Sequence, residues 1–449
     1  MDDYDIVILG AGAAGLAAAH TLAASTHTVA IIEARDRMGG RIQTTYPAGI
    51  DLPVELGAEF IHGKPPETWH YLRAAHIPLV EMNGVAWRTD AVGFTPAPPE
   101  SDALRALHQA INTWQGEDCS LRALFDQHFA DPAWAAARAQ VISYVEDYLA
   151  ADPAQVSVAW LAEVDQAISS VQGNRSFRSL AGYQPMLEWL GKRPDAKRAV
   201  LHLHTIAQHL HWSPHHVEIA AIQPDHRPIT LRARAAIITL PLSILALPAG
   251  ELGAVQFSPD LPAKWAMLEK LGMGHAIKVV FRFQEAFWDT LPPAADTLAQ
   301  LGFLAADDPL PPSWWTSFPL VTPLLTGWMS GPRAQQLATH SDEAIIDQML
   351  DALAQAWHRS RNDIEARLAT WHFHNWSRDP FARGAYSYVR VGGTVAAEAL
   401  RTPVDDTLFF AGEALNTGGY TSTVHAAFRS GMRAARELLA SLRVGKWTP

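Results

Sequence analysis

The chain has 449 residues, with 35 Lys and Arg against 46 Asp and Glu, a net charge of −11 at pH 7. So acidic a composition excludes the basic patches that hold nucleic acid, and 48% apolar with 18% charged residues excludes disorder. A single cysteine, Cys119, excludes an intrachain disulfide and a cysteine-rich zinc site, and the length predicts two or three folding units.

In chain order, residues 5–9 (DIVIL) form a short unbroken apolar run, the pattern of a strand buried on both faces. Residues 13–24, rich in Ala and Leu, predict a helix, and residues 28–32 a second buried strand, which completes a βαβ unit. Residues 54–61 read as strand and loop. Residues 101–168 carry Ala, Leu and Trp at helical spacing and predict a helical insertion. Residues 199–240 turn to short apolar runs separated by turn residues, a strand meander. Residues 278–283 (KVVFRF) predict another strand, whereas the proline-rich residues 290–325 fit no clear element. Residues 341–357 predict a helix, 407–411 (TLFFA) a buried strand and 422–442 a closing helix. Sixteen tryptophans predict indoles that need hydrogen-bond partners when buried. The acidic opening MDDYD lacks the positive region of a signal peptide. The longest apolar stretch, 235–249, is broken by Pro241 and Pro248. The expectation is a soluble cytoplasmic protein without membrane or nucleic-acid partners.

Gly10-Ala11-Gly12-Ala13-Ala14-Gly15 stands between the first strand and the first helix. There Gly10 permits the tight turn, Gly12 lets a pyrophosphate approach the backbone and Gly15 lets helix and strand pack closely. The helix N-terminus, with Ala14, offers amides and a positive dipole end to phosphates. Glu33 ends the second strand, where a carboxylate can hold a ribose hydroxyl pair. It runs directly into Ala34, Arg35 and then Gly39-Gly40-Arg41, for which a nicotinamide dinucleotide has no use. A longer cofactor does: the two glycines allow backbone approach and Arg41 offers a fork for phosphate oxygens.

The segment 33–41, EARDRMGGR, resembles the FAD fingerprint of the flavin amine oxidase family, and the resemblance continues along the chain. Residues 54–63 (VELGAEFIHG) resemble the family segment beside the isoalloxazine, with Gly57, Ala58 and Glu59. Thr205, Ile206 and Trp212 resemble its adenine-side strands, and 238–245 (ITLPLSIL) its crossover. Residues 274–279 (GHAIKV) resemble its lysine strand, and 376–392 and 410–434 complete the order. The resemblance implies a two-domain α/β fold of α+β layout. A Rossmann-like FAD domain (1–75, 181–250, 380–449) joins a substrate domain (76–180, 251–379) with a mixed sheet and the helical subdomain.

The same resemblance implies roles residue by residue. Lys278 would hold a water against flavin N5, and desolvation there would lower its own pKa. Tyr386 would face the flavin and guide the amine. Ala385 stands where animal monoamine oxidases carry the cysteine linked to FAD, so the FAD is expected to be noncovalent. Thr423 stands where those enzymes place an aromatic wall, and Ser422-Thr423 resembles the pair of animal-type polyamine oxidases; Tyr420 is the nearest aromatic alternative. His62, where polyamine oxidases place His or Glu, would select the protonation state of a bound amine. The residue alone equally suits a loop histidine bonded to backbone. Glu59 reads either as a cation partner or as a flavin-loop carboxylate. Gly412-Glu413 resembles the family pair in which the acid accepts from ribityl hydroxyls, with Val424 opening the helix that faces the flavin. Trp376 would pack near the dimethylbenzene ring, or in the core.

The implied reaction is oxidation of a C–N bond, with O2 reduced to H2O2, and the motifs tilt the small-molecule substrate toward polyamines or secondary amines. Monoamine oxidase and L-amino acid oxidase activities share the fold, although 54–63 lacks an arginine for a substrate carboxylate. A noncatalytic FAD-binding partner module is the alternative of another class. The histidines at 202, 204, 215 and 216 lack carboxylates or cysteines at ligand spacing, so no metal is expected.

Overall fold

The computed structural model describes residues 2–50, 52–90, 92–192, 198–290, 300–306 and 313–444. The two buried N-terminal runs become the strands Ile6–Leu9 and Val29–Ile32, and the helix Ala13–Leu22 crosses between them. They sit at the centre of a five-stranded sheet. Its order is Ala199–His202, Val29–Ile32, Ile6–Leu9, Ala235–Ile238, Leu408–Phe410, with every pairing parallel. Chain from the start, middle and end thus meets in one sheet. The meander expected over 199–240 divides between two sheets. Its ends join the parallel sheet, and Ile206–Ser213, His216–Ile222 and Pro228–Ala233 form an antiparallel sheet beside it. The closing helix Val424–Val444 packs across Ala13–Leu22, and a Cβ on Gly431 would lie 2.1 Å from the Ala14 carbonyl oxygen. Only glycine lets the two backbones approach this closely.

A seven-stranded mixed sheet lies in the other part of the chain. Its order is Leu368–Asn375, Ala276–Phe283, Leu324–Ser330, Ser313–Thr316, Leu301–Ala306, Val85–Thr89, Phe94–Pro96. Two of these strands come from the proline-rich stretch; its residues 291–299 and 307–312 lie outside the described residues. The helical stretch resolves into Asp102–Asn112, Leu121–His128, Ala135–Asp147 and Val158–Ser170. Ser101, Ser120 and Ser157 cap three of these helices by accepting amide hydrogen bonds.

The expectation that buried indoles find partners holds only in part. Trp315, Trp328 and Trp376 donate hydrogen bonds, whereas the indole N–H groups of Trp87, Trp160, Trp314 and Trp357 have no partner among the described residues. Ring packing explains two of them: Trp314 lies on Phe281, and Trp357 contacts Phe94, Phe287 and Trp288. There the apolar contact outweighs the unmade bond. No described helix is long and apolar enough to cross a membrane.

Candidate active site

One cavity of about 730 Å³ is lined both by the glycine loop after Leu9 and by Lys278 on the mixed sheet. The residues singled out from the sequence for catalysis or cofactor binding line it except Gly15 and Trp212. Trp212, placed on the adenine side by resemblance, instead donates its indole N–H to Pro259 O. For Gly15 the reason is packing: a Cβ there would lie 1.9 Å from the Gly10 carbonyl oxygen, so this position closes the turn. Gly10 itself has φ +101°, a left-handed conformation that side chains rarely adopt. Gly12 differs from both. A Cβ there meets nothing nearer than 3.9 Å, so the missing side chain leaves room in the cavity. Among the described residues no side chain caps the helix that follows, which leaves its first amides to face an anion.

Around this loop the polar side chains are tightly engaged. Glu33 accepts from the amides of Ala11 (2.9 Å) and Arg35 (3.0 Å), and burial raises its pKa. Arg35 pairs with Asp379 at 2.6 Å and lies over the Phe381 ring. Arg37, which the sequence did not single out, donates to the carbonyls of Met38, Gly40 and Ile42 and so holds the Gly39-Gly40 turn. Arg41 donates to Ala385 O and to Glu413, both at 2.8 Å. Glu413 also accepts from the Ser387 hydroxyl (2.6 Å) and the Ser422 amide (3.0 Å), tying three remote segments together. Both groups lie on the cavity wall, but as each other's partners.

Lys278 projects from the strand Ala276–Phe283 and is 1% exposed. Its ammonium donates to Glu59 Oε2 at 2.5 Å and Gly57 O at 3.2 Å, and it lies 5.4 Å from the Trp315 ring centre. Glu59 also pairs with Arg178 and accepts from Trp315 Nε1 at 3.2 Å. Burial opposes its charge, but the two cations outweigh burial and hold its carboxyl below the usual range. Beside the buried Lys278 the structure thus supplies a counter-ion that the sequence reading did not assign to it. Glu59 is already shared by two cations of the protein itself.

Tyr386 is half-buried, and its hydroxyl donates to Tyr148 O at 2.9 Å. His62 lies between Ser176, 3.3 Å away, and the Tyr148 ring, 5.1 Å away. Burial pushes its pKa down to about 4. The expected switch near neutral pH is corrected accordingly, since this imidazole stays neutral well below pH 7. Thr423 accepts from the Ala426 amide and so caps the closing helix, which commits its hydroxyl. Ser422 (φ +64°) donates to Ser387 O. Tyr420 lines the cavity, but its hydroxyl is bonded to Ser170, and Arg429 lies 4.5 Å from its ring centre. Trp376 donates to Leu56 O and its ring lies 4.1 Å from that of His374, tilted by 53°, so it serves the core and the cavity wall at once. Among the described residues no group of three His, Cys, Asp or Glu is placed to hold a metal.

A family model described as flavin containing amine oxidoreductase matches residues 13–89 and 115–439. The chain belongs to that family. This amine oxidoreductase is 26% identical to probable polyamine oxidase 4 of Arabidopsis thaliana, the match covering 98% of this chain and 88% of that protein. It is 27% identical to polyamine oxidase 3 of Oryza sativa subsp. japonica, over 96% and 88%. Lysine-specific histone demethylase 2 of Homo sapiens is 25% identical over 97% of this chain but only 53% of its own length. Two solved structures share the fold: cyclohexylamine oxidase from Brevibacterium oxydans (TM-score 0.79, 20% identity, 98% and 100% covered) and putrescine oxidase bound to putrescine (0.77, 20%, 98% and 99%). The fold is thus the two-domain α/β fold of flavin amine oxidases, and the protein is an FAD-dependent, amine-oxidising oxidoreductase.

The residues present fit that cofactor. Gly12 leaves its cradle open, and a Cβ on Gly412 would meet nothing within 4 Å. Trp160 also lines the cavity, with its buried indole N–H lacking a partner among the described residues. Sequence reasoning missed Trp315 and Trp328, Tyr144, Asp147 and Tyr148, and the cation behind Glu59, Arg178. Tyr144, Asp147, Tyr148 and Trp315 come from the helical and proline-rich stretches and Trp328 from the strand just after them, where no motif marks them.

Proposed function

We propose that the enzyme oxidises a C–N bond of a polyamine or secondary amine, giving an imine that water hydrolyses to aldehyde and amine. The observation that carries this reading is the chamber around Lys278, walled by Phe60, Tyr148, Trp315, Trp328 and Tyr386. Aromatic faces attract ammonium groups and exclude water. The full-length likeness to polyamine oxidases supports the substrate class.

FAD, when bound, supplies the hydride acceptor, and O2 is the proposed terminal acceptor, giving H2O2. Gly10, Gly12, the first amides of the Ala13–Leu22 helix, Glu33, Arg41 and Glu413 would hold it. Ala385 offers no thiol, so the attachment would be noncovalent. Lys278, fixed by Glu59, presents a buried N–H donor to the reacting region. Tyr386, anchored through its hydroxyl, orients the amine with its ring face. Neutral His62 can accept from or donate to that amine without competing as a cation. The proposed division of the chain gives the cofactor to 1–75, 181–250 and 380–449 and the substrate to 76–180 and 251–379; the cavity draws on both sets. A reducing compartment suits its one cysteine.

Anaerobic bleaching of the yellow holoprotein tests the reading. The panel holds spermine, spermidine, their N-acetyl forms, benzylamine, tyramine and L-amino acids. Fastest bleaching by polyamines is expected. Fastest bleaching by aromatic monoamines would overturn the substrate class, and bleaching by none would favour a noncatalytic partner module.

A further inference from the structure

Four described carboxylates line the cavity: Glu33, Glu59, Asp147 and Glu413. Three are satisfied by the protein itself. Glu33 holds two backbone amides, Glu59 holds Lys278 and Arg178, and Glu413 holds Arg41. Asp147 differs, because among the described residues its side chain bonds only the Ser143 hydroxyl, at 3.0 Å. The nearest arginine by charge, Arg333, is paired with Glu146. Burial outweighs the Ser143 bond and Arg333 and pushes the Asp147 carboxyl up to about 6, as a desolvated carboxylate without its own cation requires.

Its placement is fixed by the reacting region. Lys278 and Trp328 are paired across neighbouring strands, and the Trp328 indole donates to Asp147 O at 2.9 Å. Tyr386 donates to the next carbonyl, that of Tyr148. Asp147 is also the last residue of the helix Ala135–Asp147, whose negative dipole end favours a cation. Tyr144 and Tyr148 stack 5.2 Å apart beside it, and both line the cavity. A carboxylate, a helix C-terminus and two aromatic rings are the chemistry of an ammonium site.

We propose that Asp147, with Tyr144 and Tyr148, is a second ammonium subsite. The substrate is then a di- or polycation that places one nitrogen in the Lys278–Tyr386 chamber and another at Asp147. The proposal rests on the amine-oxidase reading above and names the charge pattern that reading leaves open.

The test compares 1,4-diaminobutane with 1-aminobutane on the wild-type holoenzyme and on the Asp147→Asn and Asp147→Glu variants, by kcat/KM and by anaerobic flavin reduction. The wild type should prefer the diamine. In Asp147→Asn the diamine-to-monoamine ratio of kcat/KM should fall by about 10- to 100-fold, the worth of one charge-assisted hydrogen bond, mainly through KM. Asp147→Glu, which keeps the charge, should recover part of the ratio. If Asp147→Asn keeps the full preference, or lowers both substrates equally, Asp147 is not the subsite. A wild type that takes the monoamine as readily as the diamine overturns the dication. Activity on neither amine, with no bleaching by the wider panel, overturns the amine-oxidase reading itself.

Discussion

At the scale of single residues the decisive feature is a buried chain of charges, Arg178–Glu59–Lys278, closed by the Trp315 indole. Its net charge is +1, and it stands in the wall of the cofactor cavity. Removing Glu59 leaves two cations there; removing Arg178 leaves a neutral pair. Glu59→Gln should therefore raise the midpoint potential of the bound flavin and Arg178→Met should lower it. Each shift should be on the order of 50 mV, from roughly 2 kcal/mol for one charge several ångströms away. Potentiometric titration of the two holoproteins reads this directly. Shifts in the same direction would mean that both variants merely loosen the site. None of this was visible in sequence order, because Arg178 and Glu59 lie 119 residues apart and meet only where Phe60–His62 pairs with Ser176–Ser179. The neutrality of His62 was hidden for the same reason, since burial by remote segments sets it.

At the scale of elements the glycine loop separates two duties that the motif GxGxxG runs together. Gly15 serves the turn, where a Cβ would strike the Gly10 carbonyl oxygen, while Gly12 serves the cavity, where a Cβ would project into free space. Gly12→Val should thus give a folded protein with the melting temperature of the wild-type apoprotein but weak FAD binding. Gly15→Val should lower the apoprotein melting temperature as well. Thermal melts with and without added FAD distinguish the two, and equal loss of apoprotein stability would refute the division. The parallel sheet around this loop was legible because strands buried on both faces, such as DIVIL, carry an unbroken apolar signature. The strand of Lys278 was legible from KVVFRF for the same reason, with Arg282 its one half-buried member. The strands Leu301–Ala306 and Ser313–Thr316 were not. Prolines surround them, and their inward rings, Trp315 above all, follow no motif. The helix Ala135–Asp147 was legible as a helix, but nothing in its apolar spacing marked its last turn as cavity wall.

At the scale of the whole molecule, four buried groups make stability depend on pH in opposite senses. His62 and His425 are both pushed down to about 4 by burial, from an ordinary 6.5. Between those values the unfolded chain binds the protons and the folded one does not, so acidification from pH 6.5 to 4 costs stability. Burial raises Glu55 to about 7 and Asp147 to about 6, from 4.5 and 3.8. There the folded protein binds the proton first, so acidification through 7 and 6 adds stability until the unfolded carboxyls titrate. The two pairs offset one another between about pH 4.5 and 6, which predicts a broad plateau. Glu55 is the member best suited to a test, because it lies outside the cavity wall and holds the Tyr183 amide and the Thr44 hydroxyl. Glu55→Gln is neutral at every pH and removes one favourable proton uptake. Its stability should therefore fall with acid more steeply than that of the wild type between pH 7 and 4.5, by about 1.4 kcal/mol per pH unit. Denaturant unfolding at a series of pH values measures that slope, and parallel curves for the two proteins would show that the Glu55 carboxyl is ionised in the fold throughout.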